Sequence, residues 1–287
     1  MSSWRPYNLK VKPKRLPIQY NEGTFIIKNT LATVVSAYYE FPSKHGPEKY
    51  RIWVRQFLES LNSPLIFFTE SKLVEFIRDC RKGKEDTTHI ICVEKENWTA
   101  STKFAPEFWQ AQLILDPERL IHSAELYKIW YEKKEFVLKA IRLNPFTHTD
   151  FVWVDAGCVR TPTTLTNFPM ADKIPTDRMV LLNVEPFLEE DKLTGFAKKN
   201  RIGGTILAAA SSTWLLWSET YDSMLESYVK ANKFVGKDQS IMASLVLHNP
   251  PLVSLIRPPK ICTSKWFYLL QHFSVGLSLP NRIDSAI

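Results

Sequence analysis

The order of apolar segments in the N-terminal third most constrains the fold of this chain. Short apolar runs at 31–39, 64–70 and 88–94 are typical of buried strands. The segments between them, at 48–62 and 71–82, have apolar residues at helical spacing. Because strand–helix–strand units place their strands parallel with right-handed crossovers, this order predicts half of a doubly wound sheet.

The rest of the chain continues this alternation. Helical patterns occupy 105–143, with a break predicted at Pro117, and then 211–232 and 237–249. Pro145 is predicted to end the first of these regions. Further strands are predicted at 149–157, 178–185, 202–210 and 251–257. Serines stand where helix N-caps are expected, namely Ser71, Ser211 and Ser212.

These patterns predict a single α/β domain over residues 31–287, with a mostly parallel central sheet flanked by helices. Residues 1–30 are basic, contain proline and lack periodicity, so we expect an N-terminal arm on the domain surface. Sheets of this kind bind ligands beyond the carboxyl ends of their strands. Candidate site residues should therefore follow the strands.

The composition and charge limit the classes of function. The chain has 287 residues, of which 45% are hydrophobic, so it can bury a substantial core. Its net charge of +7 is concentrated near the N-terminus, and the other basic residues are interleaved with acidic ones. No basic stripe with regularly spaced aromatic residues is present, which argues against nucleic acid as a partner. A nucleic-acid-binding protein nevertheless stays an alternative, and it predicts steeply salt-dependent DNA binding.

Cysteine spacing and hydropathy bear on localisation. The four cysteines are widely spaced, so neither a zinc site nor a disulfide framework is indicated, and a cytoplasmic protein is the simplest expectation (host-cell cytoplasm if viral). The N-terminus lacks the apolar region of a secretory signal. No apolar run is long enough to span a bilayer, so a membrane-linked substrate would be met by peripheral contact.

A strand that ends on an acid carries the strongest chemical signal. In FVWVDAGCVR, residues 151–160, an apolar run leads directly to Asp155, and Ala156 and Gly157 follow. A buried strand would deliver the carboxylate to the ligand-binding edge, where the small residues let a ligand approach the backbone. Such a carboxylate can hold a divalent cation that grips a diphosphate. The same pattern also fits an aspartate that caps a turn.

Three further features have a chemical and a structural interpretation each. Asp238 and Gln239 begin a predicted helix, where the carboxylate can act as a base or orient a sugar hydroxyl, or can serve as an N-cap. Gly203 and Gly204 allow a substrate close to the backbone, or form a turn or bulge. Lys134 can reach a phosphate group, or lie on a solvated helix face.

Together these residues resemble the HtrL/YibB family of bacterial and viral proteins. The resemblance covers roughly residues 31–257 and includes the strands TVVSAYYE and PLIFFTE. It also includes the GGT segment followed by Asp238-Gln239. Its most specific part is the segment from Glu125 to Arg160, which contains Tyr127, Lys134, Asn144-Pro145-Phe146 and FVWVDAG.

The resemblance implies a GT-A-type, Rossmann-like fold that binds a nucleotide-sugar. The implied activity is that of a hexosyltransferase-like glycosyltransferase, which moves a sugar from a UDP-linked donor to a hydroxyl group of a glycan or glycoconjugate. In that class a DxD motif at a strand end binds Mn²⁺ or Mg²⁺ and the diphosphate. Asp155 matches the first Asp of the motif, but Gly157 replaces the last. The implied histidine ligand of the metal is His272, with His248 as the second candidate.

Topology and the resemblance together assign the remaining roles. Asp238 and Gln239 are the expected catalytic residues. A protein on the same fold that binds a nucleotide or carbohydrate without turnover is the main alternative, since a fold does not determine a function. The expected nucleotide-sugar-binding residues are Thr33, Ser36, Ala37, Tyr38, Thr69, Lys134, Asp155, Ala156, Gly157, Arg160, Gly203 and Gly204.

Overall fold

Strands and helices alternate along the computed structural model, which describes residues 13–18, 20, 22–26, 31–42, 45–161, 165, 167–262 and 264–274. The strands are β1 (Thr33–Tyr38), β2 (Leu65–Thr69), β3 (Thr88–Cys92), β4 (Asp150–Val154), β5 (Met179–Asn183), β6 (Ile202–Ala210) and β7 (Val253–Ile256). The α-helices are α1 (Pro47–Ser60), α2 (Val74–Cys80), α3 (Thr99–Thr102), α4 (Pro106–Leu115), α5 (Ala124–Leu143), α6 (Asp191–Thr194), α7 (Ser211–Lys230), α8 (Asp238–His248) and α9 (Tyr268–His272).

Within the described residues, the strands form one sheet in the order β3-β2-β1-β4-β6-β5-β7. The pairs β3–β2, β2–β1, β1–β4 and β5–β7 are parallel, whereas β6 runs antiparallel to both of its neighbours. This confirms the predicted α/β class and the mostly parallel sheet. Because β1, β2 and β4 are parallel, their carboxyl ends meet at one edge, and the residues that follow them lie close together.

Alternating side chains of the central strands pack on opposite faces of the sheet. In β4, Phe151 and Trp153 join the core on one face, whereas Val152 and Val154 join the core on the other. Helix α5 covers the first face and α1 covers the second. The two-residue period of the strand therefore fixes the register of β4, since a slip by one residue would exchange its two buried faces.

Helix α5 supports one wall of the site and has well-defined ends. The Ser123 hydroxyl accepts a hydrogen bond from the Leu126 N–H at 3.3 Å, which satisfies a backbone donor at the start of the helix. Asn144 ends the helix in the left-handed conformation, with φ of 35°. Pro145 follows this residue, so the predicted end of the helix is confirmed.

The predicted serine caps elsewhere are wrong. Ser71 lies inside a 3₁₀ turn that precedes α2, and its N–H donates to Glu94 Oε1 at 2.9 Å. Ser211 is the first residue of α7, and the N-cap position belongs to Ala210. The helix start at residue 211 is nevertheless where the sequence places it.

The described parts of the N-terminal arm contact the β5 side of the domain. The Leu16 N–H donates to the Phe187 carbonyl at 2.9 Å, and the Tyr20 hydroxyl donates to Asn183 Oδ1 at 3.1 Å. Lys10 and Lys12, which contribute to the basic charge of the arm, lie outside the described residues. None of the helices in the described part of the chain has the length and apolar character needed to cross a bilayer.

Candidate functional site

A cavity of about 240 Å³ opens at the sheet edge where β1 and β4 end. Its charged lining residues are Glu40, Lys133, Asp155 and Arg160. Much of the remaining wall is aromatic, with Tyr38, Tyr39, Phe41, Tyr50, Trp130, Trp153 and Phe267. A concave, mostly apolar pocket with a few convergent charged groups is typical of a small-ligand site.

Asp155 lies at the end of β4 and presents its carboxylate to this cavity. Its backbone N–H donates to the Thr205 carbonyl at 2.8 Å, which extends the pairing of β4 with β6 by one residue. The Trp153 indole N–H donates to Asp155 Oδ1 at 2.7 Å. The side chain is 37% exposed, so a ligand in the cavity can reach a carboxylate whose orientation is already set.

Lys133, on helix α5, joins Asp155 to a second carboxylate. Its Nζ lies 3.1 Å from Asp155 Oδ1 and 3.0 Å from Asp238 Oδ2, and it donates to the Gly204 carbonyl at 2.9 Å. Of the three N–H donors of the ammonium group, two form hydrogen bonds, one to Asp155 and one to the Gly204 carbonyl. The Asp238 contact is the least well directed, since Oδ2 accepts no hydrogen bond of good geometry. The lysine side chain is only 7% exposed.

The electrostatics of this cluster keep Lys133 charged. Burial alone would lower the pKa of the Lys133 ammonium, but the Asp155 and Asp238 carboxylates outweigh burial and raise this pKa above its ordinary value. Lys133 is therefore protonated at neutral pH. Burial also raises the pKa of the Asp155 carboxyl, while Lys133 and the Trp153 indole oppose that change. The Asp155 side chain is 37% exposed, so burial acts on its carboxyl less fully than on the Lys133 ammonium.

The two adjacent glycines of β6 face opposite sides of the sheet. A Cβ at Gly204 would lie 3.0 Å from Asp238 Oδ2 and 3.3 Å from Met242 Cε, so the missing side chain lets Asp238 approach the strand. A Cβ at Gly203 would instead meet Leu182 at 3.1 Å. Gly204 thus belongs to the lysine–carboxylate cluster. Gly203 faces Leu182 of β5, so its role in ligand binding stays a prediction that this packing does not favour.

Six of the predicted binding residues line the cavity: Ala37, Tyr38, Asp155, Ala156, Gly157 and Arg160. Two others support its wall from behind. The Ser36 hydroxyl donates to the Val154 carbonyl at 2.6 Å, and the Thr69 hydroxyl donates to the Tyr38 carbonyl at 2.9 Å. Thr33 is misplaced by the prediction, because it begins β1 at the opposite edge, where its Oγ1 lies 3.0 Å from His148 Nδ1.

The structure places Lys134 away from the cavity, which does not favour its predicted phosphate-binding role. Its Nζ lies 3.0 Å from Asp222 Oδ1 and donates to Ser218 Oγ at 3.1 Å, and the side chain is 4% exposed. The neighbouring Lys133 points into the site instead. Helical spacing indicates Lys133 as the residue that faces the cavity. It shares one face of α5 with three other residues that line the cavity, Leu126, Ile129 and Trp130.

Asp238 and Gln239 stand behind the cavity instead of facing it. Neither is among the described residues that line it, and the Asp238 side chain is 6% exposed. The Gln239 amide donates to the Ile202 carbonyl at 2.6 Å. Asp238 is not an N-cap either, since Lys237 occupies that position of α8. Because neither side chain lines the cavity, the catalytic roles of both residues stay predictions that this placement does not favour.

The arrangement around Asp155 does not fit a divalent cation. In the described part of the chain, no group of three or more His, Cys, Asp or Glu side chains is placed to hold a metal. The Lys133 ammonium lies between the Asp155 and Asp238 carboxylates, where a shared metal would lie. The predicted Mn²⁺ or Mg²⁺ at Asp155 stays a prediction that this set of ligands does not favour.

The two candidate histidine ligands lie elsewhere. His272 lines a second cavity with Asp172 and Lys173, and the two cavities share no described residue. Burial, with Lys173 nearby, lowers the pKa of His272 to about 4. His248 ends α8, and its Nδ1 lies 2.8 Å from the Ser244 carbonyl. The structure therefore does not bring His272 together with Asp155.

Glu40 is a cavity residue that the sequence interpretation misses. Glu40 lies two residues after the end of β1, as Asp155 directly follows β4. The pattern of an acidic residue after a strand could therefore have indicated it. Its Oε1 accepts hydrogen bonds from Arg51 Nε at 2.7 Å and from the Tyr38 hydroxyl at 3.3 Å. The bond from Arg51 holds the pKa of the Glu40 carboxyl below its ordinary value, so Glu40 is ionised at neutral pH.

Solved structures with similar folds include glycosyltransferases. Mouse xyloside xylosyltransferase 1, in its apo form, has a TM-score of 0.50 and 13% sequence identity, over 85% of this chain and 93% of that chain. The apo structure of the bifunctional glycosyltransferase WbbM has a TM-score of 0.43 and 9% identity, over 88% of this chain and 46% of that chain. The first likeness supports the GT-A-type fold that the resemblance implied.

Sequence comparison identifies the family. No curated protein matches the chain significantly. The family described as "bacterial protein of unknown function (HtrL_YibB)" matches residues 43–275, which is most of the chain. The motifs around Asp155 and the GT-A-type sheet agree with this match, and the chain belongs to the HtrL/YibB family.

Proposed function

We propose that this protein transfers a glycosyl group from a nucleotide-sugar, UDP-linked in the simplest case, to a hydroxyl group of a glycan or glycoconjugate. The observation that carries the proposal is the Asp155 carboxylate, held in place and partly exposed in an aromatic-lined cavity at the carboxyl edge of parallel strands. Aromatic rings pack well on the apolar faces of sugars. Carboxylate oxygens accept hydrogen bonds from sugar hydroxyls.

In this proposal the donor spans the edge between β1 and β4. The nucleotide lies near Ala37 and Tyr38, because the ends of the first crossover strands bind such ligands in doubly wound sheets. The sugar lies near Asp155, which Lys133 and the Trp153 indole hold in position. Two carboxylates that line one cavity can thus engage different hydroxyl groups, with Asp155 toward the donor and Glu40 toward the acceptor.

The proposed reaction exchanges one bond at the anomeric carbon for another. The bond from this carbon to the diphosphate oxygen breaks, and its electron pair leaves with the diphosphate. The acceptor oxygen forms the new bond, and its proton leaves to solvent. Glu40, which is ionised, orients the acceptor hydroxyl, and the apolar wall limits the access of water to the reacting carbon.

A binding protein without turnover is the second candidate function. The observation that favours it is the position of Asp238, because a carboxylate that lies behind the cavity cannot take a proton from an acceptor within it. In that case Asp155 and the aromatic wall would serve recognition alone. The two functions share the ligand and differ only in release of products.

The test is ligand-dependent stability followed by product detection. We expect UDP and a UDP-sugar to raise the melting temperature of the full chain, since saturation at 100 Kd adds about 2.7 kcal/mol to the stability of the native state. Uridine, which lacks the phosphates, serves as the control and should give a much smaller shift. Slow release of UDP and sugar would support transfer. Stabilisation without release supports the second candidate, and no stabilisation by any nucleoside diphosphate or nucleotide-sugar rejects both.

The paired glycines of β6 offer a second prediction. Gly204→Ala should displace Asp238 and destabilise the protein by about 1–3 kcal/mol, as overpacking commonly does. It should also weaken UDP binding by the folded protein, because Asp238 and Asp155 share Lys133. Gly203→Ala is the matched control and should affect stability alone, since its Cβ meets Leu182 and Val184. Urea unfolding and UDP titration measure the two effects, and equal losses of UDP affinity in both variants would contradict the assignment.

A further inference from the structure

The cluster at the floor of the cavity contains its own cation. The Lys133 ammonium contacts both carboxylates and a backbone carbonyl. The cluster is therefore internally bridged before any ligand enters the cavity.

A divalent cation could join Asp155 and Asp238 only if the lysine moved. An ammonium and a metal ion cannot share the space between these carboxylates, because two like charges would then lie within a few ångströms of each other. Displacing Lys133 would leave a buried ammonium with the Gly204 carbonyl as its remaining partner within the cluster. Breaking a buried ion pair in this way is strongly destabilising, because it leaves an uncompensated buried charge. The fold therefore opposes metal binding at this point.

A second difference from the DxD pattern lies two residues further along the chain. A Cβ at Gly157 would point toward Tyr50, at 3.7 Å, and toward Trp53, at 3.9 Å. The Arg160 guanidinium lies over the same Trp53 ring, 4.6 Å from its centroid, and 4.9 Å from the centroid of Phe267. At the position where the DxD motif has its last aspartate, this chain has Gly157, and the Arg160 guanidinium lies close by.

Arg160 is well placed to meet an anion. It lines the cavity together with Asp155 and Gly157, and the two aromatic rings restrict the positions of its guanidinium. Among the described residues, no carboxylate forms a salt bridge with Arg160, whereas Arg51 is paired with Glu40. A guanidinium binds phosphate oxygens through two parallel N–H donors, which gives it both charge and direction.

We propose that this site binds a nucleoside diphosphate without a divalent cation. Lys133 takes the bridging position between Asp155 and Asp238, and Arg160 supplies the positive charge that faces the diphosphate. This inference rests on the proposed function, because it concerns the same donor. It departs from the metal dependence that the resemblance implies.

Titration of the full chain with UDP tests the proposal. We expect the affinity for UDP to agree within about twofold between solutions that contain EDTA and solutions that contain Mn²⁺. The reason is that the Lys133 ammonium already bridges Asp155 and Asp238. Arg160→Gln should weaken UDP binding about tenfold or more, since it removes a charge-assisted contact with phosphate. The control is Lys49→Gln: Lys49 Nζ also lies over Trp53, at 5.2 Å, but Lys49 is not among the described residues that line the cavity.

The outcomes separate this inference from the proposed function. UDP binding that requires Mn²⁺ overturns the inference and leaves the proposed function standing. An equal loss of affinity in Arg160→Gln and Lys49→Gln overturns the role of Arg160, since it indicates a general effect of surface charge. Binding of UDP and UDP-sugars in neither solution overturns the inference and the proposed function together. The melting temperature of each variant without ligand reports whether it is folded.

Discussion

Lys133→Met should lower the free energy of unfolding by about 3–5 kcal/mol, because it leaves the Asp155 and Asp238 carboxylates facing each other without their shared cation. Methionine keeps an unbranched side chain of similar length, so loss of the charge dominates the effect. Without the ammonium, the two carboxylates repel each other in the folded state, and protonation of either one relieves this repulsion. Stability should therefore recover as the pH falls toward the ordinary aspartate pKa of about 3.9.

Urea unfolding at several pH values measures this prediction, and two further variants sharpen it. In the double variant Lys133→Met/Asp238→Asn, the repulsion is removed, so part of the lost stability should return. Lys134→Met is the matched control, because Lys134 is a buried neighbour that pairs with Asp222 and not with the cluster. It should also lose stability but keep UDP binding when folded. An unchanged unfolding free energy for Lys133→Met would show that the ion pairs contribute nothing.

The sheet was predictable because its strands are short, apolar and separated by helical patterns. The segment 64–70 contains β2 (Leu65–Thr69), and 88–94 contains β3 (Thr88–Cys92). Their parallel pairing follows from the helix between them. The antiparallel direction of β6 was not predictable in this way, since its small apolar residues fit either direction and its pairing depends on contacts distant in sequence.

The site was predictable where topology alone determines the position of a residue. Asp155 follows a buried strand, so it reaches the ligand-binding edge whatever its partners are. Thr33 was misplaced because it lies in the correct strand but at its first residue, and so at the opposite edge. Position along a strand, and not only membership of a strand, decides which residues can meet a ligand.

Side-chain direction accounts for the other errors. Lys133 and Lys134 are adjacent on α5, yet Lys133 contacts Asp155 and Asp238, whereas Lys134 contacts Asp222 on α7. Successive side chains on a helix differ in direction by roughly 100°. To choose between Lys133 and Lys134, one must therefore know which face of the helix packs on the sheet. Asp238 contacts Lys133, but its depth behind this lysine depends on the packing of α8 on β6, which no local sequence pattern predicts.

Asp155→Asn should reduce turnover per folded molecule by about 10²–10³-fold, as does loss of a preorganised polar group in many active sites. The substitution keeps the size of the side chain but removes the charge that faces the cavity and Lys133. Binding of the UDP-sugar should weaken more than binding of UDP, because Asp155 is proposed to contact the sugar. Titration with both ligands, together with release of UDP, gives these quantities.

Asp238→Asn is the matched comparison, since both aspartates contact the same ammonium but only Asp155 lies on the cavity wall. If Asp238 were the base that takes the acceptor proton, its loss would cost about 10²–10⁴-fold in rate. From its buried position we expect instead a loss of stability, with UDP-sugar affinity and turnover both reduced much less than in Asp155→Asn. Both variants should be assayed at a temperature where urea unfolding shows them folded. Normal sugar-donor binding and turnover in Asp155→Asn would reject the central assignment, because no other cavity carboxylate shares its contact with Lys133 among the described residues.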